Sequence, residues 1–436
     1  MKKIIQKILF GSNKNIEKKS YILNTIAGMI NALQAVVLLM VVTRVTGIED
    51  AGILTIAFAV ANLMMTIGKF GVRNFQVTDI ERKFSFNTYY RTRIFTSIIM
   101  LGCSLCYGIY SYFFLHTTFY KIVIIFSICV IYFIDSIEDV FCGTYQREGR
   151  LDVASRIYSI RWMLTICIFS IFLFISHNLL LSIIVIGIFT GVLSIILVKT
   201  SFEKFDINQI QTTLENCKLL LKKCFPLFAG AFLMMYITNS PKYEIEVYLS
   251  DEIQACYGFV SMPIFVIELL NNFLYQPKLV EIARCWEEGR LKRFLKYIVM
   301  QFGILALLTI ICVIGGTFLG IPILSIIYNT NLNEYKVVLL ILLVGGGGLA
   351  FTGFFAVLLT VMRKQNWMMY GYIIVSILSK VIMPYSVSRH GVLGGAITFN
   401  LLIYGLSSIL LFFVYIGYVQ RKKELRSFNN EINTLD

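Results

Sequence analysis

The chain has 436 residues, 57% of them hydrophobic and only 15% charged, with a mean hydropathy of +0.76 and a net charge of +14. Uncharged runs recur from end to end, which excludes a soluble domain and indicates a polytopic membrane protein. The ten cysteines fall mostly inside these runs, where they read as small hydrophobes. Cys103 and Cys106 have C-x-x-C spacing, but no neighbouring His or second Cys pair accompanies them, which argues against a metal or redox role. His116, His177 and His390 all lie in short connections and offer little for catalysis.

Residues 1–20 carry lysines but neither a continuous apolar core nor a small-residue cleavage site, so they do not read as a cleaved signal. Ile4, Ile5, Ile8 and Leu9 beside Lys2, Lys3 and Lys7 predict a short amphipathic helix lying on the membrane. Twelve apolar runs follow, at roughly 21–45, 50–69, 94–115, 122–143, 157–176, 179–199, 224–249, 254–276, 297–319, 336–361, 366–388 and 392–419. With the N-terminus placed in the cytoplasm, only Arg44, Lys121, Lys242, Lys336, Lys380 and Arg389 of the 39 basic residues fall outside the tails and cytoplasmic connections. The positive-inside rule therefore places both termini in the cytoplasm, in tails 1–20 and 420–436. Basic loops facing anionic lipid account for most of the charge, and nucleic-acid binding is unnecessary.

The first run places Asn24, Gly28, Asn31 and Ala35 on one face, with Gln34 at its edge, as close packing or a hydrated cavity requires. Arg44 falls near the outer end of that helix, where it can snorkel to the interface. In the fourth run Asp135, Glu138 and Asp139 stand at i, i+3 and i+4, with Arg161 and Arg147 as available neighbours. Two readings stay open for these acids: a structural acid–base cluster, or a proton or sodium coupling site. The longest linker, 200–223, alternates Phe205, Ile210, Leu214, Leu219 and Leu221 with polar residues and reads as an interfacial segment joining two bundles, 21–199 and 224–419.

The stretch 225–254 is apolar enough to span, yet it holds Asn239, Pro241, Lys242, Glu244 and Glu246. At 100° per residue, Met235, Asn239, Lys242, Tyr243 and Glu246 share a face that suits a wet space, while Glu244 lies off it. Pro241 deprives the Ile237 carbonyl of its helical partner, so a kink is expected. Glu246, one turn beyond Lys242, is placed to pair with it. Glu268 is a separate acid in the eighth run, and Lys380 in the eleventh matches Lys242 in depth, which allows a shared cationic cavity. Gly345–Gly348 have no following Lys-Ser or Lys-Thr and so form no phosphate loop; they permit close helix approach or bending. Arg44–Ile53 can be laid over Tyr248–Tyr257 at an offset of 204 residues, as expected for a parallel repeat of two six-span halves.

The chain resembles the Wzx-like oligosaccharide flippases of polysaccharide biosynthesis, in the MOP superfamily that includes the MATE multidrug exporters. The resemblance rests on TRVTGIEDAGI from Thr43, FGVRNFQV from Phe70, NSPKYEIEVYLS from Asn239, the proline of YQPKL from Tyr275, GIPILSIIY from Gly320 and HGVLGGA from His390. Two departures are Cys256, where the family often has Gly, and Ser240–Pro241–Lys242, where many relatives have an acid. The second argues against an acid-coupled role at this helix.

The resemblance implies an all-α membrane protein of about twelve transmembrane helices, in two six-helix bundles forming a V around a central cavity. It implies a non-enzymatic, multi-pass flippase of the bacterial cytoplasmic membrane. Such a protein moves polyprenyl-pyrophosphate-linked oligosaccharide by alternating access, for surface polysaccharide such as lipopolysaccharide O-antigen or capsule. Partners so implied are the lipid-linked oligosaccharide, membrane lipids, a polysaccharide polymerase and chain-length proteins, with no cofactor beyond a coupling Na+ or H+. The residues expected to meet substrate are Lys242, Lys380, Arg44, Asn31, Gln34 and Asn239; the acids expected to couple or brace are Asp135, Glu138, Asp139, Glu246 and Glu268. The alternatives are a MATE-like cation-coupled antiporter and an integral-membrane polymerase or acyltransferase. The second lacks a large outer loop and a catalytic setting for any histidine.

Overall fold

A computed structural model describes residues 2–11, 15–79, 82–205, 213–275 and 278–433, and all regular structure among them is helical. The chain divides into two compact units, Met1–Met235 and Tyr236–Asp436, with the division inside one helix. In the first unit α1 (Lys2–Phe10) precedes α2 (Ile16–Val45), α3 (Ile48–Lys69), the short α4 (Val72–Thr78), α5 (Phe86–Phe114), α6 (Phe119–Arg147), α7 (Leu151–Ser176) and α8 (Leu179–Phe202). Then α9 (Leu214–Tyr248) enters the second unit, followed by α10 (Asp251–Ser261), α11 (Ile264–Tyr275), α12 (Leu279–Glu287), α13 (Leu291–Gly315), α14 (Ile321–Tyr328), α15 (Lys336–Val361) and α16 (Gln365–Asn433).

Among the described residues ten helices are long and apolar enough to cross a membrane. The twelve expected spans reconcile with this number through two breaks. The eighth span is divided at Met262–Pro263 into α10 and α11. The last two lie in α16, which leaves helical geometry at Gly391 (φ 57°, ψ −143°), a conformation open to glycine. Beyond that break the chain doubles back: Gly371 packs on Ile409, and Thr398 Oγ1 lies 2.8 Å from Ser386 Oγ.

In the first unit α3 is the most enclosed spanning helix, because Ala51, Gly52, Ala57, Ala59 and Ala61 let neighbours approach closely. Polar pairs tie the spans: Ser97 to Ser136 at 2.6 Å and Thr165 to Thr190 at 2.9 Å. α1 forms as expected and seats Leu9 against Tyr145, Ile157 and Leu197. Its last carbonyls, which lack helical partners, accept from Arg156 (to Ile8, 2.6 Å) and Arg150 (to Phe10, 3.1 Å). The expected linker is partly helix: Leu214 begins α9, and Leu220 and Cys224 join Val72, Tyr89 and Val140 in the first unit's core. Ile210 lies outside the described residues.

In the second unit α15 is the enclosed helix, and Gly345–Gly348 show why. A Cβ on Gly345 would collide with Asn400, on Gly346 with the Ile264 carbonyl, on Gly347 with Thr309, and on Gly348 with Ile403. Four consecutive side-chain directions are occupied by α11, α13 and α16. α9 stays helical through Pro241 because the Ser240 hydroxyl donates to the orphaned Ile237 carbonyl at 2.9 Å. The repeat is visible in the element starts: α10, α12 and α13 begin 203, 207 and 205 residues after α3, α4 and α5.

Candidate functional site: a paired ionic cluster and an unpaired lysine

The three acids of α6 meet three arginines from three other helices. Asp139 Oδ2 lies 2.8 Å from Arg93 Nη2 of α5, and its Oδ1 lies 3.0 Å from Arg73 Nη1 of α4. Arg161 of α7 reaches both other acids, Asp135 at 2.7 Å and Glu138 at 2.9 Å, and Ser194 of α8 donates to Glu138 at 2.7 Å. The backbone prepares this arrangement. Phe70 (φ 45°) and Gly71 (φ 67°) break the chain after α3, which turns α4 so that Arg73 reaches α6. The freed Gly68 carbonyl accepts from Arg93 Nη1 (3.1 Å) and Thr96 Oγ1 (2.7 Å). Three negative charges thus face three positive ones, which offsets the several kcal/mol that each buried ion costs. Of the two arginines expected near the acids, Arg161 is there; Arg147 instead lies beside Glu148 at 3.7 Å.

Asn31 and Gln34 join the rim of this cluster through a residue the sequence did not single out. The Tyr158 hydroxyl donates to Asn31 Oδ1 at 2.5 Å and Gln34 Oε1 at 3.5 Å, and Arg161 stands 5.7 Å over the Tyr158 ring. Arg44 is exposed at the end of α2 in the same unit. No group of three or more His, Cys, Asp or Glu side chains suited to a metal ion occurs among the described residues.

The second unit holds the remaining residues. Lys242 is partly buried on α9, and its ammonium has no hydrogen-bond or ion-pair partner among the described residues. The expected Lys242–Glu246 pair is not formed: burial, not a neighbouring acid, is what acts on the lysine's charge. Helical spacing permits an i, i+4 contact without enforcing it. Glu244, placed off the functional face by helical periodicity, is 8% exposed, and the cation acting on it is Lys380, itself exposed on α16. Lys380 therefore has an acidic neighbour on α9, Glu244, where the sequence led us to expect a second lysine. Asn239 is buried beside Ser240. The Glu268 side chain lies outside the described residues. Gln301, Asn271 and the Ala350 carbonyl form a further buried polar chain, at 2.8 and 3.3 Å, that the sequence did not reveal.

Helices so ordered, in two repeated units, define the fold of the MOP-superfamily transporters. The chain is similar to an inward-facing multidrug resistance MATE transporter of that superfamily, with TM-score 0.65 and 12% identity over 90% of this chain and 96% of that one. It is similar to the eukaryotic MATE transporter AtDTX14, with TM-score 0.63 and 12% identity over 94% and 98%. It is also similar to a MOP transporter from Pyrococcus furiosus whose binding pocket is described as reversed in polarity, with TM-score 0.54 and 14% identity over 97% and 98%. The model of the polysaccharide biosynthesis protein family matches residues 18–280, and the chain belongs to that family. No curated protein sequence matches it. The fold is thus the one seen in solved MATE and MOP-superfamily transporters.

Proposed function

We propose that the protein is a flippase carrying polyprenyl-pyrophosphate-linked oligosaccharide across the bacterial cytoplasmic membrane by alternating access, with both termini in the cytoplasm. The observation that carries this reading is Lys242: an ammonium without a counter-ion in a spanning helix of a polysaccharide biosynthesis family member. An unpaired cation at such depth costs a few kcal/mol, a cost that is kept where an anion must be met. A diphosphate–sugar headgroup cannot cross hydrocarbon unaided, whereas its lipid tail can stay in the bilayer. In the second unit Lys242 meets the diphosphate, with Lys380 adding positive potential and Asn239 a hydrogen bond to sugar; in the first unit Arg44, Asn31 and Gln34 are the candidate substrate contacts. Na+ or H+ is the candidate driving ion, and the polymerase and chain-length proteins are candidate partners.

The alternative, a cation-coupled antiporter, needs a carboxylate free to exchange a cation, and those of α6 each face arginine. The pairing favours a bracing role for Asp135, Glu138 and Asp139. Deletion of the protein should leave lipid-linked glycan on the inner leaflet; unchanged outer-leaflet delivery after deletion removes the flippase reading.

A further inference from the structure

Between α6 and α8 of the first unit runs a crevice of about 500 Å³ that neither the ionic cluster nor Lys242 uses. Its walls are Phe133, Ile137 and Phe141 on one side and Ile195, Val198 and Phe202 on the other, with Gly191 leaving the far end open. Ile195 lines the crevice and is also 68% exposed, so the opening faces sideways, toward the bilayer. From Gly191 to Phe202 the α8 rise gives a length of about 17 Å. One leaflet of a hydrocarbon core about 30 Å thick supplies about 15 Å. Ligand sites span roughly 300–1,000 Å³, which includes this volume.

The mouth is polar and carries a positive excess. Glu203 is ion-paired with Lys2, while Lys199 has no ion-pair or hydrogen-bond partner among the described residues. The Tyr90 hydroxyl, also at the wall, is likewise without a partner among them. The other acid lining the crevice, Glu138, is already satisfied by Ser194 and Arg161. A hydrocarbon chain entering sideways therefore meets apolar walls, and an anionic headgroup meets Lys199 and Tyr90.

We infer that this crevice binds one anionic glycerophospholipid, its acyl chain lying along α8 from Phe202 to Gly191 and its phosphate at Lys199. The inference rests on the orientation proposed above, which puts the Lys199 end in the anionic cytoplasmic leaflet. The match to one leaflet's thickness favours an acyl chain over a much longer polyprenyl chain. A bound lipid also braces α6 beside Glu138.

The test uses the full-length protein in detergent, exposed to phosphatidylglycerol or phosphatidylcholine with identical chains, with retained lipid counted by native mass spectrometry. Wild type should retain one phosphatidylglycerol with about five-fold preference, the value of one lysine near a phosphate. Lys199→Gln should abolish the preference, and Lys204→Gln should leave it intact. Ile195→Trp, at an exposed position that does not disturb packing, should block retention of both lipids while elution and melting stay unchanged. Equal retention of the two lipids by wild type, a preference that survives Lys199→Gln, or retention unaffected by Ile195→Trp would each overturn the proposal. So would one-for-one displacement by a polyprenyl phosphate. None of these readouts involves glycan delivery, so failure here is distinct from failure of the flippase reading.

Discussion

Arg93 Nη2 lies 2.8 Å from Asp139 Oδ2, and the arginine making this contact is wholly buried. Removal of either partner leaves a charge in the protein interior without its counter-ion, which typically costs about 3–5 kcal/mol. Arg93→Ala and Asp139→Asn should therefore sharply lower membrane abundance and melting temperature. Asp135→Asn should do so less severely, and it should leave the pH and sodium dependence of the remaining transport unchanged. A shifted dependence at normal abundance would instead make the cluster a coupling site.

Lys242→Gln should reduce outer-leaflet delivery of lipid-linked glycan about ten-fold, the worth of one charge-assisted contact, at normal protein abundance. Lys242→Arg should retain more activity. Lys336→Gln, at the exposed first residue of α15, should be nearly silent. Delivery normalised to membrane-protein level measures all three, and equal effects of the two glutamine changes would make Lys242 inert.

Asp79, in the connection before α5, accepts from the Tyr89 hydroxyl at 2.7 Å and from the amides of Lys83 and Phe84 at 3.0 and 3.1 Å. Burial pushes its carboxyl up, but these hydrogen bonds outweigh burial and hold it below the usual carboxylate value. A lowered folded-state value means stability that is present above the unfolded value of about 3.9 and lost as pH falls through the folded one. Asp79→Asn should thus cost about 1–3 kcal/mol at neutral pH and progressively less below about pH 4, read as melting temperature against pH.

Gly346 and Gly303 should behave oppositely. A Cβ at Gly346 would stand 2.7 Å from the Ile264 carbonyl, a backbone atom that cannot step aside, whereas nothing lies within 4 Å at Gly303. Gly346→Ala should destabilise by about 1–3 kcal/mol through overpacking. Gly303→Ala should be neutral or stabilising by up to about 1 kcal/mol through helix propensity. Thermal melting of the purified protein separates them.

Topology can be read with membrane-impermeant thiol labelling of Lys204→Cys and Asn331→Cys, in a background without the exposed Cys106 and Cys167. Both introduced positions are exposed, whereas the neighbouring Leu332 is buried and unsuited to labelling. The two should label from opposite sides. Labelling from the same side would overturn the proposed orientation.

The acids of α6 were legible as a cluster because i, i+3, i+4 spacing puts them on one face whatever surrounds the helix. Their partners were only half legible. A hydropathy reading starts the third span at 94, just past Arg93, because a charge marks an interface unless something neutralises it. α5 in fact begins at Phe86, and Asp139, 46 positions along the chain, makes an interior Arg93 tolerable. Pro241 leaves an orphaned Ile237 carbonyl, which the sequence reads as a kink; Ser240 satisfies that carbonyl locally, and α9 continues through it.

By itself the sequence determined the all-helical membrane class, the order of the spans, the repeat and the crowding of acids on α6. Each of these follows from hydropathy, charge and helical periodicity, which act over a few residues. Only the tertiary structure decided that Arg73, Arg93 and Arg161 converge on those acids. It alone decided that Glu244 is buried, that Lys242 stands apart from Glu246, and that four glycines admit three neighbouring helices to α15. Those outcomes depend on which helix faces meet across tens or hundreds of residues. A helix's own periodicity offers several faces, and packing against its neighbours selects one.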